Sequence, residues 1–278
     1  MLDVLRLPFF QWAALASLVL AGIHAYLGFH VVRRGVLFVD LALAQMAALG
    51  VALSVALGHE HDEGTAYLLA LGMTLLGAAL FAWLRGRARR APLEAFIGIV
   101  FATAQAMAFL VLEKTPNGPE HIREALVGSL FTVPPREIAV VAALYAVVGG
   151  VHVWLRKQFF EITNDPEGAR ARGRRVFLWD FLFYATFGVV VTSAVHIAGV
   201  LLVFGLLVIP AVAGVLTSAR TAVALAVGWA FAFVGSVAGL ALSVTFDLPA
   251  APSILVALTG LLVVQGALRA VWPWRGGG

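Results

Sequence analysis

The stretch VLFVDLALAQMAALGVALSVAL, residues 36–57, decides how this chain folds. A helix needs about 20 apolar residues to cross a membrane, and this stretch is long enough. It follows Arg33 and Arg34, and it contains the acid Asp40 and the amide Gln45. A charge inside a bilayer costs about 3 kcal/mol or more, so an acid placed there usually faces a cavity, a partner or a transported ion.

The whole chain has the composition of a protein that crosses a membrane many times. Of its 278 residues, 62% are hydrophobic and 12% are charged, and the mean hydropathy is +0.96. Soluble domains carry about 25% charged residues. The positive residues cluster beside apolar runs, which indicates membrane orientation rather than nucleic-acid binding. The chain has no cysteine, which excludes disulfides and thiolate metal sites.

Nine apolar runs are candidate spans, which predicts an all-α polytopic membrane helical bundle with about eight or nine transmembrane helices. The runs are residues 9–29, 36–57, 66–84, 93–112, 138–155, 177–197, 199–216, 222–244 and 254–271. No segment looks like an independent soluble domain, so we expect one transmembrane domain over residues 1–278. Pro210 should kink or break its span, and the GxxxG of Gly235 and Gly239 allows close helix packing.

Lysine and arginine indicate how the chain lies in the membrane. If the N-terminus is outside and the runs alternate, 15 of the 19 lysines and arginines fall inside. The four outside are Arg6, Lys114, Arg123 and Arg136. This asymmetry predicts a multi-pass protein of the inner (plasma) membrane with its N-terminus outside.

Asp40 and Gln45 are the first candidate functional residues. On a helix continuous from Arg34, Asp40 lies about 9 Å along the axis from the arginine pair, and Gln45 lies deeper. Five residues of α-helix turn the two side chains about 140° apart, so they do not share one chelating face. Asp40 serves either a cation path or a structural pairing with an arginine or a helix end, and the residues alone leave both open.

Histidines are the other candidate metal ligands. His24, His30, His152 and His196 lie in or at the ends of apolar runs, where a lone histidine is more often a packing residue than a ligand. On the outer side, His59 and His61 stand among three acids in residues 59–63. This cluster either attracts a divalent cation or is a solvated acidic turn.

The inside stretch TNDPEGARARG, residues 163–173, predicts a short capped helix. Asn164 or Asp165 caps it, Pro166 fits the first turn and Gly173 ends it. Such a helix between spans suits docking to a soluble partner, or binding of its arginines to anionic lipid. The chain has no P-loop, no HExxH motif and no Ser/His/Asp arrangement, so we expect a transport protein rather than an enzyme.

Two segments resemble a known family. Residues 31–50, VVRRGVLFVDLALAQMAALG, are similar to the signature of the zinc/manganese/iron permease family of ATP-binding cassette importers. That signature is an arginine pair, an acid, then Leu-Ala-His and a downstream glycine. Residues 199–211, GVLLVFGLLVIPA, resemble the family's Gly-x-Leu-Leu…Ile-Pro-Ala helix. Weaker similarity covers residues 93–98 and 165–173.

The resemblance implies the membrane permease subunit of an ATP-driven divalent metal importer that works by alternating access. Its partners would be a cytoplasmic ATPase, an extracytoplasmic metal-binding protein and a second permease, in a homodimer or heterodimer. The inside loop, residues 156–176, would hold the coupling helix that contacts the ATPase, through Asp165, Glu167, Arg170 and Gly173. No cofactor would stay bound, since Zn, Mn or Fe is the transported ion.

The resemblance also implies a metal path. Asp40 falls where the family places an acid, and Gln45 falls where it places a histidine, one residue further from the acid than usual. Glutamine is a harder ligand than histidine and favours neither zinc nor copper. His196 would contribute near the outer end. The alternative function is a secondary cation transporter that uses Asp40 as an ion or proton relay.

Overall fold

The computed structural model describes residues 7–59, 62–85, 87, 91–113, 128 and 130–271 of the chain. Ten helices and no strand occur in these residues, which confirms the predicted all-α class. The helices are α1 Pro8–Arg34, α2 Val39–Ala56, α3 Glu63–Arg85, α4 Leu93–Leu112, α5 Pro135–Trp154, α6 Arg156–Asn164, α7 Pro166–Ala171, α8 Val176–Thr217, α9 Thr221–Phe246 and α10 Ala250–Val271.

Eight of these helices, all but α6 and α7 in the part of the chain described, are long and apolar enough to cross a membrane. Eight helices accommodate the nine predicted runs because α8 contains two of them in its 42 residues. Its backbone leaves helical geometry where the two runs meet, at Gly199 (φ 72°, ψ 161°). Pro210 was expected to kink or break its span; it lies within helical backbone, so it does not break the helix, and the kink stays a prediction. Membrane helices tolerate the loss of the single backbone hydrogen bond that a proline removes.

The connection from α1 to α2 differs from the continuous helix expected there. Helix α1 runs to Arg34 and stops because Gly35 adopts a φ of 65°, a common way to end a helix. Helix α2 starts afresh at Val39, so Asp40 lies in its first turn. The predicted separation of about 9 Å between Arg34 and Asp40 along one helix is therefore wrong. Gly35 directly follows the arginine pair, but the turn continues to Phe38, inside the apolar run that starts at Val36, so hydropathy does not mark where α2 begins.

The residues group into two compact units. The first contains Met1–Val32, Val127–Ala143 and Ile197–Gly278, and the second contains Arg33–Leu126 and Leu144–His196. The chain passes from one unit to the other within α1, α5 and α8, so three helices contribute residues to both. The expectation of a single transmembrane domain stays a prediction.

Small residues bring the helices of the first unit close together. A Cβ on Gly28 would lie 1.9 Å from the carbonyl oxygen of Leu207, and a Cβ on Gly239 would lie 2.3 Å from the Cα of Ile254. Helix α1 therefore packs tightly on the second half of α8, and α9 packs tightly on α10. The second contact confirms the close packing predicted from the GxxxG pattern.

In the second unit, α2 packs against both α3 and α4. A Cβ on Gly50 would lie 2.5 Å from the Cα of Ala70, so α2 and α3 touch at their backbones. On the side of α4, Leu49 and Ala52 pack into one apolar cluster with Ala104. The helix that carries Asp40 and Gln45 is thus held between two neighbours.

Candidate functional site

Asp40 is a buried acid at the start of α2. It lies in the first turn of α2 with only 1% of its surface exposed. Neither carboxylate oxygen has a hydrogen-bond partner among the described residues. Glu94, in the first turn of α4, lies near enough to act electrostatically on Asp40, and its carboxylate accepts a hydrogen bond from the backbone N–H of Leu37. A buried carboxylate with a second acid nearby favours a cation.

Gln45 is also buried, deeper along the same helix. Helix α2 is regular from Val39 to Ala56, so the five-residue spacing places Asp40 and Gln45 about 140° apart around its axis. Their oxygens therefore line different faces of α2. An ion that uses both residues would meet them at different depths, about 7.5 Å apart along the helix axis.

The histidines do not gather around these two residues into a metal cluster. Two of them form hydrogen bonds with other residues of the chain. His24 Nδ1 lies 2.7 Å from the carbonyl oxygen of Leu20, and His152 Nε2 lies 2.9 Å from the hydroxyl of Thr186. His196 is exposed on α8. In the part of the chain described, no three His, Cys, Asp or Glu residues group as a metal site.

The loop between α2 and α3 is described only in part. His59 is exposed, and its carbonyl oxygen accepts a hydrogen bond from the N–H of Asp62. His61 lies outside the described residues. Asp62 accepts hydrogen bonds from the backbone N–H groups of Gly64 and Thr65 and from the hydroxyl of Thr65. The Thr65 hydroxyl is the main reason why the pKa of Asp62 lies below its usual value.

A buried ion-pair cluster occurs in the second unit, and the sequence did not predict it. Arg34 donates to Asp180 at 2.8 Å, and Arg85 donates to the same carboxylate oxygen at 2.5 Å. The side chains of Arg34 and Asp180 are 0% and 1% exposed, and that of Arg85 is 14% exposed. The arginine that precedes the α2 run therefore pairs with Asp180 on α8, and not with Asp40.

Further contacts extend this cluster to the loop of residues 156–176. The Nε of Arg34 donates to the hydroxyl of Thr163 in α6 at 3.0 Å. Its guanidinium also lies 3.9 Å from the ring centre of Phe183, a cation–π contact. The ends of α1 and α3 are thereby joined to α6 and to the start of α8.

The segment predicted to couple to an ATPase has the local structure that the sequence indicated. Asp165 caps α7, accepting a hydrogen bond of 2.8 Å from the N–H of Gly168, and Pro166 occupies the first turn. This hydrogen bond is the main reason why the pKa of Asp165 lies below its usual value. Gly173 ends the segment with a φ of 78°.

One face of α7 is anchored and the other is exposed. Ala169 is fully buried and packs with Ile162 and Val176. Asp165, Glu167 and Arg170 are exposed. The exposed residues stand on a short helix that its buried face holds in place, an arrangement suited to contact with another protein.

A second set of ion pairs stabilises the loop around α7. Arg172 donates to Glu161 at 2.9 Å and to Asp165 at 3.2 Å, and Arg174 lies 3.4 Å from Glu161. The hydrogen bond to Glu161 is the main reason why the pKa of Arg172 is raised. These pairs are largely exposed, so each contributes little on its own.

The fold and the site together define a polytopic helical membrane protein with a buried acid in one of its spans, whose carboxylate has no hydrogen-bond partner among the described residues. The model of the ABC 3 transport family matches residues 6–269, and the chain belongs to this family.

Individual relatives agree with this assignment. The uncharacterized membrane protein slr2045 of Synechocystis sp. is 26% identical, over 97% of this chain and 94% of that protein. The high-affinity zinc uptake system membrane protein ZnuB of Haemophilus influenzae is 25% identical, over 91% of this chain and 95% of ZnuB. The structure of PsaBC from Streptococcus pneumoniae in complex with Fab has the same fold, with a TM-score of 0.79 and 21% identity over 95% of this chain and 93% of that chain.

Proposed function

We propose that this chain is the membrane permease subunit of an ATP-driven importer of divalent metal ions. The observation that carries the proposal is Asp40, a carboxylate buried in a membrane-spanning helix without a hydrogen-bond partner in the described part of the chain. Such a group is costly unless a cation neutralises it. Membership in the ABC 3 transport family and the zinc uptake named for a relative support a metal ion as that cation.

The donor atoms bear on which metal is carried. Asp40 offers carboxylate oxygens and Gln45 an amide oxygen, and oxygen ligands suit manganese, whereas imidazole suits zinc. Other relatives are named as membrane proteins of manganese transport systems, MntC of Halalkalibacterium halodurans among them. We therefore place manganese ahead of zinc as the cargo, with Asp40 near the inner half of the path, Gln45 at mid-depth and His196 towards the outer end.

The proposed orientation follows the distribution of lysine and arginine and puts the N-terminus outside. Helix α7 then lies in the cytoplasm, where Asp165, Glu167, Arg170 and Gly173 contact the ATPase. An extracytoplasmic binding protein delivers the metal near the loop of His59 and His61. Two permease chains, identical or related, enclose the path.

In this proposal, transport proceeds by alternating access. ATP binding and hydrolysis in the partner move α7, and the path opens to one side of the membrane and then to the other. The buried cluster around Asp180 supports such a coupling, because it joins α6, next to α7, to the ends of α1 and α3. A force on the loop is thereby passed to spanning helices.

A secondary transporter with Asp40 as a proton relay is the alternative function. The buried acid fits that reading equally well. Membership in the ABC 3 transport family favours the ATP-driven reading, as does the exposed, capped helix α7. A transporter driven by an ion gradient needs no surface for an ATPase.

The role of Asp40 is tested by Asp40→Asn in vesicles that contain the permease, its ATPase and its binding protein. We expect ATP-dependent manganese uptake to fall about ten-fold or more, because a charged ligand is replaced by a neutral one. Asp247→Asn, at an exposed acid, is the matched control and keeps normal uptake. Unchanged uptake by Asp40→Asn would show that the metal does not pass this carboxylate.

A further inference from the structure

A cavity of about 650 Å³ lies in the second unit, away from Asp40. The end of α3, helix α7 and the start of α8 form its walls. Its lining residues are Ala82, Trp83, Arg87, Arg170, Arg175, Val176, Phe177, Leu178 and Asp180. The metal path does not account for a cavity at this place, and of the residues proposed to contact the ATPase only Arg170 lines it.

The cavity carries a strong positive charge. Arg87, Arg170 and Arg175 line it, and among the described residues none of the three has an acidic partner. Asp180 is the single acid in the lining and is already paired with two further arginines. Its charge is therefore more than neutralised, and the site attracts an anion.

The walls of the cavity also have an exposed apolar part. Trp83 is 46% exposed near the end of α3, and Arg87 lies 4.8 Å from the centre of its ring. Phe177 and Leu178 are exposed at the start of α8. Both helices are candidate spans, and tryptophan is enriched where a span leaves the bilayer. Arginines next to exposed apolar residues at the end of a span match the headgroup and first acyl carbons of a lipid.

We propose that this cavity binds the phosphate headgroup of an anionic phospholipid. Basic pockets between helix ends on the cytoplasmic side recognise such headgroups, and guanidinium groups bind phosphate oxygens in a bidentate manner. An acidic protein segment would satisfy the arginines but would leave Phe177 and Leu178 uncovered. The leaflet from which the lipid comes rests on the orientation in the proposed function, whereas binding itself does not.

Lipid in this cavity has a consequence for the inside loop. Arg170 belongs to α7, Arg87 follows α3, and Arg175 precedes α8. One phosphate held by all three ties α7 to the ends of two spanning helices. Lipid occupancy would thus set the position of the segment that is proposed to meet the ATPase.

The test uses the purified full chain in non-ionic detergent, with bound lipid counted by native mass spectrometry. The chain is titrated with phosphatidylglycerol, with phosphatidylcholine and with inorganic phosphate. We expect phosphatidylglycerol to bind in preference to phosphatidylcholine, and Arg87→Gln combined with Arg175→Gln to weaken its binding about 25-fold. Each arginine near a headgroup contributes about five-fold.

Two further variants distinguish loss of the site from loss of the fold. Arg87→Lys combined with Arg175→Lys keeps the charge and should retain most of the affinity. Arg156→Gln removes an exposed arginine of α6 that lies outside the cavity. This variant protein should bind lipid with the affinity of the wild type.

Three results would overturn the proposal. The first is equal lipid affinity of the glutamine double variant and the wild type. The second is displacement of the lipid by an equal concentration of inorganic phosphate, which would assign the cavity to a free anion. The third is a double variant that loses ATPase binding but keeps the lipid, which would make the cavity a protein-docking surface. Neither Arg87 nor Arg175 is part of the metal path, so this outcome and that of Asp40→Asn are independent.

Discussion

Two buried acids in the second unit have opposite surroundings. Asp180 is matched by Arg34 and Arg85, whereas Asp40 has no hydrogen-bond partner in the residues described. An acid that is fully paired serves structure, and an acid that is left unpaired in a membrane span indicates function. We therefore propose a structural role for Asp180, beside the contact with the transported ion proposed for Asp40.

Asp180→Asn tests the structural half of this division. The variant leaves Arg34, which is fully buried, without a counter-charge, and breaking a buried ion pair costs about 3–5 kcal/mol. We expect a large fall in the thermal unfolding temperature of the purified protein in detergent.

The matched control for Asp180→Asn is Glu161→Gln, which breaks pairs with Arg172 and Arg174, whose side chains are 54% and 48% exposed. An exposed pair contributes about 0–1 kcal/mol, so the unfolding temperature should hardly change. Equal losses in the two variants would mean that the buried cluster does not stabilise the fold.

Two features stabilise the helices. Glycines allow neighbouring helices to pack closely, and N-terminal caps stabilise the ends of single helices. Glycines allow α1 to approach α8 and α9 to approach α10, in each case within the first unit. Carboxylate caps begin α7 at Asp165 and precede α3 at Asp62, on opposite sides of the membrane in the proposed orientation.

Gly239→Ala should destabilise the packing of α9 on α10. The added Cβ would lie 2.3 Å from the Cα of Ile254, so backbone must move, and overpacking of this kind costs about 1–3 kcal/mol. Gly266→Ala places its Cβ in open space on α10 and should leave the unfolding temperature unchanged or raise it. Thermal unfolding that ranks the two variants the other way would contradict this packing.

Asp165→Ala should uncouple the permease from its ATPase. Loss of the cap loosens α7, and we expect the ATPase activity of the reconstituted complex to respond several-fold less to the binding protein. Asp247→Asn changes an exposed acid that is not proposed to meet either partner, and it should leave this response intact. Equal effects of the two variants would remove the reason for placing the ATPase at α7.

The two caps also predict how the loops respond to pH. The pKa values of Asp62 and Asp165 lie below the usual 3.8 in the folded protein. Their contribution is therefore complete above about pH 4 and disappears as the pH falls through the lowered pKa values. The effect of Asp165→Ala should accordingly be the same at every pH from 6 to 8 in the assay.

Much of the element scale could be predicted from the sequence, because hydropathy and capping are local properties. The candidate spans and the cap at Asp165 follow from residues that are adjacent or one turn apart. The start of α2 at Val39 was missed because residues 36–38 of the turn belong to the apolar run, where composition does not change. The Asp180 cluster was missed because its residues lie far apart in the chain. An acid at the start of one predicted span and arginines at the ends of two others were the signal that could have found it.

At the scale of the whole molecule, the two compact units share three helices, each of which contributes residues to both units. The second unit contains Asp40, the Asp180 cluster and α7, so the proposed path and the proposed ATPase surface belong to one packed body. Gly199, the non-helical position of α8, lies close to the boundary at His196. This arrangement supports a permease in which the energy of a soluble partner acts on the helices around Asp40.

The most direct test of the central claim is the energy source of transport. Vesicles containing the permease, with or without its ATPase and binding protein, are supplied with radioactive manganese, and uptake is followed with ATP or with an imposed pH gradient. We predict that uptake needs ATP and all partners and persists when the pH gradient is collapsed. Uptake driven by the pH gradient in vesicles that contain the permease alone would contradict the account and establish a secondary transporter.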